Sequence, residues 1–460
     1  MDHDILALLG DGRSGAAPPP FSIEPAGHSG LTAYRALRHD TFVVRQGLFD
    51  RHDLDDRDTD PRTVVLIARS GDGGVLGGVR LGPAHDGPDL GWWTGGRLVV
   101  APGSPPGVGR ALVRAACARA ELEGALRFDA TVQVRNEKMF TRLGWHSVRR
   151  VPVAGVDHVL MRWPIGRIAE LAAATKRPLG TLLRGITGVQ GFLGDDGVPV
   201  PGSDLVAACD AIVPSMVERD PEWAGWCSVL VNLNDLAAMG AEPVALLDAL
   251  GARDASFAAR VLSGLRRAST AYGVPVLGGH TQFGVAASLS VTALGRAAHP
   301  VPGGGGVAGQ RVWLTADLSG RWRPGYTGRQ WDSTSGRRTP ELRDLLGAVG
   351  RARPAAAKDV SMAGLAGTLG MLAEASGCGA VLDVARVPRP AGTSVGDWLT
   401  CFPGFAVLTA GAPAPARAAV TAECGELVAG AGVALRWPDG ELTPAVAGGV
   451  TGLGRAEERT

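Results

Sequence analysis

The chain has very little lysine: of its 46 cationic residues, all but Lys138, Lys176 and Lys358 are arginine. Against 45 acidic residues they leave a net charge of +1, which gives no basic field of the kind nucleic acid or an anionic membrane needs, so neither is expected as a partner. Cysteine is scarce too. Its six copies (117, 209, 227, 378, 401 and 424) are scattered, with no Cys-x-x-Cys pair. That spacing excludes a zinc site or a disulfide scaffold and suits a reducing compartment. No apolar run reaches 18 residues, so no membrane-spanning helix is expected. The first twenty residues end in Ala-Ala-Pro-Pro-Pro and lack a basic start and a long apolar core. They read as a flexible leader (1–20) and not as a signal peptide, which makes the expected location cytoplasmic. No Gly-x-x-x-x-Gly-Lys-Ser/Thr loop occurs, which excludes a P-loop enzyme.

What is present is a soluble composition, 45% apolar and 20% charged, over 460 residues. That length exceeds one ordinary core. Mixed helix and strand patterns predict an α/β and α+β chain with domains at 21–164, 165–300 and 301–460. The last boundary falls in the linker PVPGGGGVAG. In the first domain the spacing predicts helices over Leu31–Phe42 and Val108–Leu122, with strands at 63–68, 75–81, 97–100 and 127–134. In the second it predicts strands LVAACDAIV and VALLDAL and a helix over Ser256–Tyr272, with further strands near 274–277 and 286–294. The third opens on the strand VWLTADL, carries a helix near 360–376 and ends in a weakly patterned Ala/Gly-rich tail.

Strand RLVVAP leads into Ser104-Pro105-Pro106-Gly107-Val108-Gly109 and then a helix. Such a loop exposes free N–H groups at the positive end of a helix dipole and suits a pyrophosphate; a tight loop before an amphipathic helix is the plainer reading. The next strand, RFDATVQV, is followed by Asn136, Phe140 and Leu-Gly-Trp at 143–145. This order resembles the GNAT acyltransferase family. The resemblance implies acetyl-CoA or another acyl-CoA as cofactor, held by Gly107, Val108 and Gly109, with Asn136 facing its pantetheine arm. Two positions depart from that family. Ser104 stands where it has Arg or Gln, and Phe140 replaces the tyrosine that protonates the leaving thiolate. The stretch YRALRHDTFVVRQGLFDRHDLDDRDTD is similar to the substrate side of acyl-homoserine lactone synthases. Its aspartates between 50 and 60 read as a solvated charged loop.

The stretch VNLNDLAAMGAEP places Asn232 and Asp235 three apart, on one face of an apolar helix, with Ser228 on the same stripe. A buried carboxylate needs a cation or several donors, so the stripe faces either a satisfied core network or a ligand site. Gly240 can cap this helix and Pro243 cannot continue it. Further acids stand at element ends: Asp195 and Asp196 in a Gly-Asp-Asp-Gly turn, and Asp210 after an apolar strand. A Gly278-Gly279-His280-Thr281 turn follows the run VPVL. Carboxylates so placed beside a Gly-Gly turn suit Mg²⁺ and a nucleotide triphosphate.

The order GDDG, AACD, NLNDLAAMGAEP, GGHT, KDVSMAGLAGTLGMLAEASG resembles the aminoimidazole ribonucleotide synthase superfamily over roughly 170–430. That superfamily includes thiamine-monophosphate kinase, selenophosphate synthetase and a hydrogenase maturation protein. The resemblance implies a two-subdomain module, homodimeric through its N-terminal subdomain, that binds ATP with Mg²⁺ and transfers the γ-phosphate to a small molecule. It implies metal ligation by Asp195, Asp196, Asp210 and Asp235, with Asp235 and Asp210 catalytic. Asn232, Gly278, Gly279, His280 and Thr281 would line the nucleotide. His280 stands where many members have an acid, and Met362 replaces the Asp of a D-x-S-D-G-G pattern. The whole is similar to GNAT–synthase fusions of bacterial nitrilase gene clusters. A transferase with two active modules is expected; the alternative is a degenerate pair that senses acyl-CoA and nucleotide without turnover.

Overall fold

The computed structural model describes residues 19–183, 185–186 and 188–456. The leader expected at 1–20 lies almost entirely outside them. The chain divides into two compact units: Met1–Ile165 with Ser394–Gly396, and Gly166–Thr393 with Asp397–Thr460. Among the described residues no helix is long and apolar enough to cross a membrane.

The N-terminal unit is built on seven strands: β1 (Phe21–Pro25), β2 (Val64–Ser70), β3 (Val75–Pro83), β4 (Trp92–Val100), β5 (Arg127–Gln133), β6 (His146–Val153) and β7 (Val156–Trp163). Their order in the sheet is β1-β2-β3-β4-β5-β7-β6. All neighbours are antiparallel except β4 and β5, which run parallel and pair only from Trp92–Gly95 to Arg127–Ala130. Past those four pairs the two strands part. Helix α1 (His28–His39) sends Tyr34 onto the sheet, where a Cβ at Gly78 would lie 2.6 Å from its ring. The Tyr34 hydroxyl donates to the carbonyl of Arg97, a residue with φ 54°. Helix α2 (Val108–Leu122) has the bounds its apolar spacing predicts, and its buried stripe joins Val79, Leu81 and Phe128 in the core. The short helix α3 (Glu137–Arg142) follows β5.

Of the aspartates between 50 and 60, Asp50, Asp55 and Asp56 are exposed, but Asp53 and Asp58 turn inward. Asp53 is buried and meets Arg38 Nε at 2.7 Å; Asp58 meets Arg38 at 2.5 Å and Arg80 at 2.6 Å. Burial alone would raise Asp58, but Arg38 and Arg80 hold it down to about 2. The arginines come from α1 and β3, so only the fold turns Asp53 and Asp58 into an internal ion network.

In the C-terminal unit, α4 (Arg167–Thr175) and α5 (Leu179–Leu182) precede a five-stranded sheet. Its strands are β8 (Val198–Pro199), β9 (Leu205–Ile212), β10 (Glu242–Ala252), β11 (Val276–Phe283) and β12 (Ser288–Arg296), in the order β11-β10-β12-β9-β8. Helices α6 (Pro214–Arg219), α7 (Pro221–Ala238) and α8 (Ala255–Tyr272) contribute to the core that backs it. A second seven-stranded sheet runs in the order Ala356–Asp359, Ala406–Ala410, Arg311–Ala316, Val420–Val428, Gly379–Asp383, Val433–Arg436, Leu442–Val446. A helix at Gly364–Ala375 is buried along almost its whole length.

The Ala/Gly-rich tail, weakly patterned in sequence, forms strands at Val420–Val428, Val433–Arg436 and Leu442–Val446: at Gly425 a Cβ would stand 2.2 Å from the Val381 carbonyl, so small residues there mark close strand packing. Gly278-Gly279-His280-Thr281 is not a turn but the middle of edge strand β11, parallel to β10. A Cβ at Gly279 would lie 2.3 Å from Asp248, which explains the glycine without invoking a bend.

Candidate functional site

Helix α7 is fixed at both ends by its own sequence. The Asp220 carboxylate accepts from the Trp223 N–H, and Pro221 occupies the first turn, where its missing donor costs nothing. At the other end Gly240 takes φ 67°, with Gly240 N–H on the Ala237 carbonyl and Ala241 N–H on that of Leu236. This is a Schellman ending, which only glycine allows cheaply. The helix is largely apolar and is buried almost all round, Glu222 and Val231 excepted. Its polar stripe runs along one face. Asn232 Nδ2 donates to the Ser228 carbonyl at 2.8 Å, and Asn232 Oδ1 accepts from the Asp210 N–H at 3.1 Å. Asn232 thus ties α7 to strand β9.

One turn on, Asp235 meets two other acids. Ligand oxygens of Asp196, Asp235 and Asp359 all lie within 4.8 Å of one another. They arrive from the loop before β8, from α7 and from the first strand of the second sheet. Lys358 pins this group: its buried Nζ donates to Asp196 Oδ1 at 2.6 Å and to the Gly194 carbonyl at 3.0 Å. The Asp359 N–H donates to Asp196 Oδ2 at 2.9 Å. Asp196 is therefore oriented by its neighbours before any ligand arrives.

The charges oppose one another. Burial pushes Asp235 well above the usual carboxylate range; Asp359, Asp210 and Asp196 push it further, and Lys358 pulls back. Asp359 is raised in the same way, by burial first and then by Asp196 and Asp210. Asp210 remains open to solvent, yet protein around its carboxylate raises it as well, partly offset by Lys176. Three carboxylates this close, with one ammonium, lack cationic charge. A hard divalent ion with oxygen ligands answers that donor set, since magnesium takes carboxylates together with phosphate and water oxygens.

The structure thus brings together Asp196 and Asp235, with Asp210 near enough to shift both Asp235 and Asp359. It does not bring in Asp195. That carboxylate turns to the Gly303 N–H at 2.9 Å, and its other oxygen is buried without a partner. His280 is exposed on β11. Gly279 lies in one cross-strand row with Asp248, Val291 and Asp210, so Asp248 shares the sheet face of Asp210 two strands away, about 10 Å off. Sequence reasoning missed Asp359 and Lys358. The available signal was an adjacent Lys-Asp pair ending the apolar run Ala-Ala-Ala.

In the N-terminal unit a cavity of about 570 Å³ opens where β4 and β5 part. Asn136 lines it; Gly107, Val108 and Gly109 do not. Gly107 takes φ 100° ahead of α2, and Val108 is buried in the core. Phe140 packs edge-on against Trp145, ring centroids 5.3 Å apart.

Residues 194–297 match the AIR synthase related protein, N-terminal domain, and residues 332–433 match the AIR synthase related protein, C-terminal domain. An uncharacterized protein of Synechocystis is 38% identical over 223 residues, which span 47% of this chain and 69% of that one. A thiamine-monophosphate kinase of Methanospirillum hungatei is 32% identical over 214 residues, 42% of this chain and 73% of the kinase. Among solved structures, T. maritima PurL complexed with ADP superposes with a TM-score of 0.50 at 17% identity, covering 64% of this chain and 52% of that one. That last likeness is one of fold alone.

Proposed function

Because the chain belongs, through residues 194–297 and 332–433, to the AIR synthase related protein family, we propose that its C-terminal unit binds ATP with Mg²⁺ and transfers a phosphoryl group to a small molecule. The observation that carries this reading is the convergence of Asp196, Asp235 and Asp359 on one point. These three would hold the ion, which when bound supplies charge neutralisation to the phosphates. Lys358 keeps Asp196 aimed at the site, and Asn232 holds Asp210 beside it. Asp210 is the acid open to solvent, placed to orient an acceptor. The name of one relative, a thiamine-monophosphate kinase, supports a nucleotide at such a site.

For the N-terminal unit the same proposal assigns an acyl-CoA cleft where β4 and β5 part. Its support is the four-pair parallel contact, the cavity beyond it and Asn136 in its wall. We place a second copy of the chain on the five-stranded sheet, which exposes Val244, Leu247, Leu277 and Phe283.

The test is to incubate the protein with ATP, Mg²⁺ and a panel of small acceptors and to follow ADP, AMP and phosphate, with Asp235→Asn as control. Turnover by the wild type and its loss in the variant are expected. Absence of ATP binding by calorimetry overturns the proposal. Binding without turnover favours a nucleotide sensor, a reading to which the exposed Met362 lends weight because it offers no oxygen three residues after Asp359.

A further inference from the structure

We propose that His158 is the proton acceptor of the N-terminal cleft, taking the proton of a primary amine as that amine attacks a bound acyl thioester. The proposal rests on reading the cleft as an acyl-CoA site. Phe140 has no ionisable group, and its ring is committed to Trp145, so proton transfer in the cleft needs another residue.

His158 stands on β7 opposite Gln133 of β5, and both residues line the cavity. The residue is only 6% exposed. Its Nδ1 lies 2.8 Å from the Val156 carbonyl. A carbonyl can only accept, so Nδ1 carries a proton, and in the neutral ring the lone pair is then on Nε2. Among the described residues Nε2 has no hydrogen-bond partner. A buried imidazole is thereby fixed in one tautomer with its basic nitrogen free, which is the arrangement a general base requires.

The carboxylates nearby do not compete. Asp129 is held by Arg127, by Arg162 and by the Trp92 indole. Asp55 is held by Arg80 and Arg97. Asp56 and Asp86 line the cavity but are exposed, at the solvent side of the cleft. Gln133 Nε2 donates to Gln46 Oε1 at 2.9 Å and ties the strand that faces His158 to the segment after α1.

The step balances as follows. The amine nitrogen bonds to the thioester carbonyl carbon and gives its proton to His158 Nε2. The carbon–sulfur bond breaks, and the departing thiolate takes that proton back from the imidazolium. The products are an amide, a free thiol and the neutral histidine.

Bromoacetyl-CoA tests this without knowledge of the acceptor, since a free Nε2 beside the acyl group displaces bromide from the adjacent methylene. Full-length protein is expected to take one adduct, mapped by peptide mass to His158, blocked by excess CoA and absent from His158→Gln. Calorimetry should show that His158→Gln and wild type bind CoA equally. An adduct on another residue, or none although CoA binds, overturns the role of His158. Failure of the wild type to bind CoA overturns instead the reading of the cleft on which the proposal rests.

Discussion

Asp195→Asn should remove a pH-dependent loss of stability that the C-terminal unit carries near neutrality. Asp195 Oδ1 is buried without a partner, and only the Gly303 N–H reaches Oδ2. Burial pushes its carboxyl from 3.8 up to about 6, with Lys358 and Gly303 pulling the other way. Between those values the folded chain keeps a proton that the unfolded chain has released. Stability therefore falls as pH rises from about 4, and the whole loss is incurred above about 6. A shift of roughly two units at about 1.4 kcal/mol each makes the loss about 3 kcal/mol. Asparagine cannot ionise. Its amide nitrogen inherits the unpartnered position, at a cost of about 1–3 kcal/mol that does not change with pH. The unfolding free energy of Asp195→Asn relative to wild type should thus rise by about 3 kcal/mol between pH 4 and pH 8. Urea unfolding followed by tryptophan fluorescence in chelator, stepped through pH, measures this directly. A difference that stays flat across that range refutes the reasoning. Mg²⁺ affinity should be unchanged, because Asp195 stands apart from the three converging acids.

Asp359→Asn should weaken Mg²⁺ more than about 100-fold by calorimetry, and in chelator at alkaline pH it should melt above wild type. Asp235 and Asp359 are both raised in the fold, so their mutual repulsion grows as pH rises and removing one relieves it. Lys358→Met leaves the largely buried Asp196 without its cation, and should cost about 3–5 kcal/mol in urea unfolding. Gly225→Ala should cost about 3 kcal/mol or more, since its Cβ would stand 2.0 Å from the Val261 carbonyl where α7 crosses α8. Thermal melting checks it, with Gly278→Ala, at an open position, as the control.

Local patterns carried much of the architecture. The bounds of α2 follow from its apolar spacing, and those of α7 from Asp220, Pro221 and Gly240. These are interactions within a few residues, which the order of side chains determines by itself. Asn232 and Asp235 could be placed on one helix face for the same reason.

What tertiary structure alone decided is which acids meet. Asp195 and Asp196 are neighbours in sequence, yet one turns to Gly303 and the other joins Asp235 and the still more distant Asp359. Gly279 became a strand residue because β10 lies alongside it, and Asp58 became part of an internal network because Arg80 reaches it from β3. In each case the deciding partner is distant in the chain. The free energy of bringing buried charges together depends on that partner's position in space, which no local pattern encodes.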